Sequence, residues 1–353
     1  MIELLNKLTS LHGPSGYEHQ VSYFIRDYVK EKADSVEIDP LGNVIARKKG
    51  TSPGPVILLT AHMDEVGFII KKIEDNGFLR FEKLGGNDDR NLLAQPIKIL
   101  TESREVDGVI GTLSAHYSKF DDSSRVRKHT ELYIDIGAGS KEEAEALGVE
   151  VGSPVTWGSE LTEFGPEQKI QIRSKALDDR AGCVVLLQVL EELQELPFAG
   201  ELTLLFTVQE EIGLRGAKTA SEHLRADAAL AVDTTAVSDT LESPMDQTLR
   251  LGGGTGIKIM DGSLIVHNTM KKLLVDLAKR NGIPYQMEIF TGIGTDGGAV
   301  NYANKGIPTG VLSIPSRYTH SSIEVIDYGD LKATKNLIKE FITQLRENDT
   351  FPF

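Results

Sequence analysis

Four short apolar runs constrain this chain more than any other feature of its sequence: Val56–Ala61, Leu202–Val208, Ala228–Val232 and Thr309–Ile314. They are nearly continuous, which is the pattern of strands covered on both faces in a largely parallel sheet. Helical spacing fills the chain around them, as in Arg180–Leu193 and Leu264–Asn281. A closing stripe of Leu331, Thr334, Leu337, Ile338, Phe341, Ile342 and Leu345 adds a long amphipathic helix. At the other end, Ile2, Leu5 and Leu8 share one helical face, and Tyr17, Val21, Phe24, Ile25, Tyr28 and Val29 share another. Gly13-Pro14-Ser15-Gly16 between them reads as a turn. Strands and helices in alternation predict an α/β fold with a mixed, mostly parallel sheet and helices on both faces.

From about Gly67 to Phe164 the pattern changes. Phe78-Leu79-Arg80-Phe81-Glu82-Lys83-Leu84 alternates strictly, and the runs Ile97–Leu100, Val109–Leu113, Glu131–Ile136 and Pro154–Trp157 are short and divided by turns. Only Lys141–Leu147 looks helical. A small inserted β-barrel or sandwich is expected over 67–164, between the two parts (1–66 and 165–353) of a discontinuous α/β domain.

Chemistry gathers where the buried runs stop. Val56–Ala61 leads into His62-Met63-Asp64-Glu65, and Leu202–Val208 into Gln209-Glu210-Glu211. Ala228–Val232 ends in Asp233, and Thr309–Ile314 leads through a short loop to His320. The alternating segment Ile170–Ala176 ends in Leu177-Asp178-Asp179-Arg180. Ligands of open α/β sheets bind outside the carboxyl ends of the strands, so these groups can converge on one site. Two histidines with several carboxylates suit zinc, cobalt or manganese rather than a thiolate site. A pair of metals ~3.5–4 Å apart needs a shared oxygen ligand, and a carboxylate can supply one oxygen to each ion.

Charge and composition exclude other partners. With 38 basic against 52 acidic residues the net charge is −14, which argues against nucleic acid and anionic membranes as partners. Cys183 is the sole cysteine, set in an apolar stretch where it reads as a small buried hydrophobe, so no intrachain disulfide can form. The N-terminus lacks the pattern of a signal peptide, and no apolar run approaches a membrane span. The expected location is the cytoplasm.

Taken in order, Ala61-His62-Met63-Asp64-Glu65-Val66-Gly67, Ala176–Arg180, Gln209-Glu210-Glu211-Ile212-Gly213-Leu214-Arg215-Gly216-Ala217, Val232-Asp233 and Arg317-Tyr318-Thr319-His320-Ser321 resemble metallopeptidase family forty-two. These are glutamyl and deblocking aminopeptidases that assemble as tetrahedral dodecamers. The likeness covers essentially the whole chain, with Val109-Ile110-Gly111 and Asp135-Ile136-Gly137-Ala138 in the insert, although Leu84-Gly85-Gly86-Asn87 stands where close relatives often carry Gly-Gly-Trp. The resemblance implies a di-zinc exopeptidase type of fold, a PDZ-like insert used in assembly, and two divalent metal ions per subunit. By match, His62 and Asp233 are implied as ligands of the first ion, Glu211 and His320 of the second, and Asp178 as the bridge. Glu210 is implied as the general base and Asp64 as the residue orienting His62. The implied reaction is removal of the N-terminal residue from short peptides. Family likeness also sets Gly292, Gly294, Thr295 and Asp296 beside the pocket for the first side chain.

Other readings belong beside these. The same metal frame also suits an N-acyl amino acid deacylase or another amide hydrolase, and a non-catalytic assembly protein with a relic site is the alternative of another class. Asp179 and Arg180 read as a local ion pair or helix start. His12, His19, His116, His129, His223 and His267 read as surface or core. Leu251-Gly252-Gly253-Gly254-Thr255-Gly256 lacks the lysine of a phosphate-binding loop and reads as a flexible loop.

Overall fold

The computed structural model describes residues 1–122, 124–241 and 248–353. Its larger sheet has eleven strands among the described residues. The four apolar runs become its centre, in the spatial order Ala199–Thr207, Ser52–His62, Ala228–Ala236, Thr309–Arg317, and every neighbouring pair is parallel. Antiparallel strands extend both sides: Val44–Lys49 and Ser35–Ile38 on one, Glu324–Asp327, Gln171–Ser174 and Thr162–Phe164 on the other. Thr255–Asp261 pairs with Thr309–Arg317 and with Tyr285–Phe290. These two strands, and Ser35–Ile38 with Val44–Lys49, were not among the runs recognised in the sequence. Each mixes charges into a short stretch, as in Arg47-Lys48-Lys49, and so lacks a clean period.

The central runs are continuous because successive side chains meet two different cores. On Ser52–His62, Ile57, Leu59 and Ala61 join the large core built with the helices Ile2–Ser10, His19–Val29, Leu177–Glu192, Asn268–Arg280 and Tyr328–Thr343. Leu58 points the other way, into a smaller core with Ala220 and Leu224 near the helix Arg215–Ser221 and with Val300 and Ala303 near the helix Asp296–Tyr302. Helices therefore cover both faces. Each fully buried Leu, Ile or Val contributes about 1.5–3 kcal/mol, so the parallel centre is the firmest part of the molecule, and every strand there stops at the same edge.

The second body is a closed barrel of six strands: Gly67–Ile73, Leu79–Leu84, Pro96–Leu100, Glu105–Ile110, Ile134–Asp135 and Pro154–Trp157. It closes where Phe68 pairs with Val155. Edge-to-face contacts of Phe68 with Phe81 and with Trp157 fill its interior. The strand Thr162–Phe164 falls within the segment expected as the insert but pairs with Gln171–Ser174 of the large sheet. The barrel begins five residues after His62, so it stands at the edge where the parallel strands end.

Candidate metal centre

Backbone geometry, more than any motif, aims the polar groups at one point. His62 closes the strand Ser52–His62, and Asp233 lies within Ala228–Ala236. Glu210 and Glu211 follow Ala199–Thr207 after a sharp turn at Gln209, whose φ is +56°. Asp178 stands at the start of the helix Leu177–Glu192 with non-helical backbone angles, and His320 has φ +62°. Ala176, Leu214 and Tyr318 are also left-handed. Each such non-glycine residue costs about 1–3 kcal/mol, and strain of this kind is found where a site requires it.

Asp178 is the centre of the arrangement. Its Oδ1 lies 3.1 Å from His62 Nε2, and its Oδ2 lies 3.4 Å from His320 Nε2. Asp233 Oδ1 is 3.6 Å from His62 Nε2, and Glu211 Oε1 is 3.1 Å from His320 Nε2. Two ligand-like triads result, His62-Asp178-Asp233 and Asp178-Glu211-His320, with Asp178 common to both. Glu210 faces the same space, grouped with His62 and Glu211.

The other nitrogen of each imidazole is already engaged. His62 Nδ1 lies 3.2 Å from the carbonyl oxygen of Asp64 and 3.4 Å from its Oδ1. His320 Nδ1 lies 2.9 Å from the carbonyl oxygen of Gly86. A carbonyl can only accept, so each Nδ1 carries hydrogen, and each Nε2 faces carboxylate oxygens with either a proton or a lone pair able to bind a cation. Apart from His320 Nε2 at 3.1 Å, Glu211 Oε1 has no polar partner among the described residues. A buried cluster of carboxylates around two imidazole Nε2 atoms needs positive charge, from protons or from a cation, and the donor set of nitrogen and carboxylate oxygen fits a divalent transition metal.

The proton affinities carry the same message. Burial pushes Asp233 up to about 7, with the Asp178 charge adding to it. Burial likewise raises Glu210 well above the usual carboxylate range, and raises Glu211. Burial opposes charge on the imidazoles, but the carboxylates win. Contacts with Asp178, Asp233 and Asp64 raise His62 well above its usual range, and Glu211 with Asp178 raise His320 to about 12. Without a cation, protons must hold this cluster together.

A supporting layer holds these groups, and most of it was absent from the sequence reading. Asp64 accepts from Ser15 Oγ at 2.6 Å and from the backbone N–H of Glu210 and Glu211 at 2.9 and 3.2 Å. Glu18 accepts from the Gln209 N–H at 3.0 Å. Glu324, wholly buried, accepts from the N–H of Asp178 and of His320, both at 2.9 Å. Gly86 belongs to the barrel, so that body supplies a contact to His320. These partners act through the backbone of distant segments, and no local spacing announces them.

Several expectations need adjustment. Asp179 and Arg180 do stand at a helix start, in the first turn of Leu177–Glu192, but they form no ion pair: Asp179 accepts from the N–H of His62 and Gly182, whereas Arg180 donates to the carbonyls of Met63, Leu8 and Leu11 and lies 3.7 Å from Glu65. Gly292 and Gly294 line the cleft over the cluster, but Thr295 and Asp296 are buried behind it. Thr295 Oγ1 donates to Asp261 and Asp296 accepts from Thr207, so both face the interior. The loop Leu251–Gly256 is a fixed structure: Gly252 and Gly254 donate to the two carboxylate oxygens of Asp330 at 2.7 Å each. At Gly254, with φ +95°, a Cβ would lie 2.1 Å from the backbone of Pro284.

The cleft itself has a volume of ≈ 470 Å³ and is floored by His62, Asp178, Glu210, Glu211, Asp233 and His320. With this geometry in hand, comparison with known proteins is decisive: the profile of the M42 glutamyl aminopeptidase family matches residues 42–337. The chain belongs to the M42 family. Its fellow members include lysyl aminopeptidase of Pyrococcus furiosus, 33% identical over 99% of both chains. Among solved structures, aminopeptidase APDkam598 of the archaeon Desulfurococcus kamchatkensis is 41% identical, with a TM-score of 0.92 over 97% of this chain and 94% of that one. The Pyrococcus horikoshii TET1 peptidase, described as assembling into a tetrahedron or a large octahedral shell, is 35% identical with a TM-score of 0.87 over 98% and 99%. Membership in the M42 family makes the chain a peptide hydrolase of the aminopeptidase class. M42 peptidases are metal-dependent, and among the described residues the two triads, with the overlapping group His62-Glu210-Glu211, are able to hold an ion. No described helix is long and apolar enough to cross a membrane.

Proposed function

We propose that this M42 chain is a dinuclear metallo-aminopeptidase of the di-zinc exopeptidase type, removing N-terminal residues from short peptides. The observation that carries the reading is Asp178, with one carboxylate oxygen toward each of two imidazoles whose other nitrogens are already bound. His62 and Asp233 would hold one ion, Glu211 and His320 the other, and Asp178 both. Zinc or cobalt suits these donors best, and manganese also fits. Two cations held there supply Lewis acidity to the scissile carbonyl and to a water.

The chain's own groups do the rest. Glu210 takes the proton from the attacking water and delivers it to the leaving amine, a task that needs a buried carboxylate of raised proton affinity beside the cluster. Asp64 orients His62 and, through the N–H groups of Glu210 and Glu211, sets the height of both glutamates. In the same proposal, the chain divides into a catalytic part (1–66 and 165–353) and a PDZ-like insert (67–164) used in self-association. Dimers built into a dodecamer are proposed for this chain, supported by the dodecamer of PhTET1-12s and by the tetrahedral or octahedral shells of the P. horikoshii TET1 peptidase. A single buried cysteine suits the cytoplasm.

The test is a panel of unblocked dipeptides, N-acyl amino acids and C-terminal substrates, assayed with zinc, cobalt and manganese. Hydrolysis of the unblocked peptides alone, with two ions bound per subunit, is expected. Preference for the N-acyl compounds would move the assignment to a deacylase. Nothing observed favours that reading or a relic site.

A further inference from the structure

The cleft beside the proposed centre has a wall whose chemistry selects among N-terminal side chains, an inference that rests on the aminopeptidase reading. Its lining beyond the ionisable cluster includes Leu214, Ala236, Phe290, Ile293 and the glycines on either side of Ile293. Among the described lining residues outside the cluster, none is charged. Thr235, also in the lining, commits its hydroxyl to Glu288 at 2.6 Å, behind the wall.

Two cations on strands that pair with those of the wall, Lys258 and Arg317, are already held by carboxylates. Lys258 lies 2.9 Å from Glu288 and 3.9 Å from Asp261, and the three are 0%, 1% and 2% exposed, so they balance one another out of contact with solvent. Arg317, a short distance before His320 in the chain, holds Asp239 through Nε and Nη2 with two contacts of 2.7 Å. A glutamate or aspartate side chain entering the cleft would lose water and meet no cation among the lining residues outside the ionisable cluster, and a lysine would meet no carboxylate there beyond Glu210 and the two triads. Burying an unpaired charge is costly, whereas burying methylenes against Phe290, Ile293 and Leu214 is favourable.

We infer that this enzyme accepts uncharged, apolar N-terminal side chains of leucine or methionine type, with Phe290, Ile293 and Leu214 as the specificity-determining contacts. The inference separates the chain from the glutamyl activity in its family's name and from the lysyl activity of its P. furiosus relative. Ile293, flanked by glycines that carry no side chain, is the position where one substitution most directly changes the wall.

The experiment compares kcat/KM for leucyl, methionyl, glutamyl and lysyl p-nitroanilides on the metal-loaded, full-length enzyme. Leucyl and methionyl substrates are expected to exceed the glutamyl and lysyl ones by about 100-fold or more, the order expected when a buried charge lacks a partner. In Ile293→Arg, the glutamyl-to-leucyl ratio should rise at least about 10-fold, chiefly through KM, because binding rather than chemistry is altered. A wild-type enzyme that cleaves the glutamyl or lysyl anilide as well as the leucyl one overturns the inference while leaving the aminopeptidase reading standing. An unchanged ratio in Ile293→Arg also overturns it. Failure to cleave any anilide with zinc, cobalt or manganese defeats both.

Discussion

Asp178 and Glu210 are neighbours in the cluster but should fail differently when altered. In Asp178→Asn one oxygen becomes an amide N–H₂, which cannot coordinate, so His62 and His320 no longer share a ligand. At least one of two bound ions should be lost, measurable as metal per subunit after gel filtration. Glu210→Gln leaves both triads intact, because Glu210 belongs to neither His62-Asp178-Asp233 nor Asp178-Glu211-His320. It should keep two ions while turnover falls by roughly 10²–10⁴-fold, the usual contribution of a positioned proton-transfer group. Metal loss in Glu210→Gln, or full turnover in either variant, would contradict the assigned roles. The five residues of the two triads, and Glu210, could be picked out in the sequence because each stands at, or a short loop beyond, the end of an apolar or alternating run. Ser15, Glu18 and Gly86 were not: they act through a hydroxyl, a carboxylate and a carbonyl that reach the site only after long-range folding.

The strand Glu324–Asp327 shows how a modest element can govern the site. It is short, antiparallel to Gln171–Ser174 and to the end of Thr309–Arg317, and lies between the segments that carry Asp178 and His320. Its first residue, Glu324, grips both by their backbone N–H groups. Glu324→Gln replaces one accepting oxygen with a donor that faces another donor, so one of the two segments is released. Metal affinity should weaken by about 10–100-fold, read by titration of the metal-free protein with zinc. A truly structural glutamate would lower the melting temperature with the zinc affinity intact. The only clue available beforehand was a lone carboxylate ahead of Val325-Ile326 and just after His320, a weak signal in isolation. The central parallel strands were plain by contrast, since burial on both faces leaves a sequence trace that a half-exposed edge strand such as Ser35–Ile38 does not.

Across the whole molecule, the change from continuous to alternating runs was enough to expect a separate β-rich body. Its contact with the site was not visible, because Gly86 touches His320 through a carbonyl that every residue possesses. The joint between sheet and barrel therefore holds a cluster of like charges, and the stability of the entire chain should respond to how that charge is neutralised. Without metal, burial holds Asp233 at about 7 against an ordinary value of 3.8, and His320, against the pull of burial, is held at about 12 by Glu211 and Asp178 against 6.5. Both folded values lie above the unfolded ones, so the folded protein binds more protons than the unfolded chain at each pH in between. Stability of the metal-free protein must then fall as pH rises, from about pH 4 to 7 through Asp233 and from about pH 6.5 upward through His320. Metal binding displaces those protons, so its benefit grows over the same range. Melting temperatures of chelator-treated protein should drop between pH 5 and pH 8, and added zinc should raise them more at pH 8 than at pH 5. An equal zinc effect at both values would mean that protons do not stand in for the ions, and that the carboxylates and imidazoles do not share the buried site described.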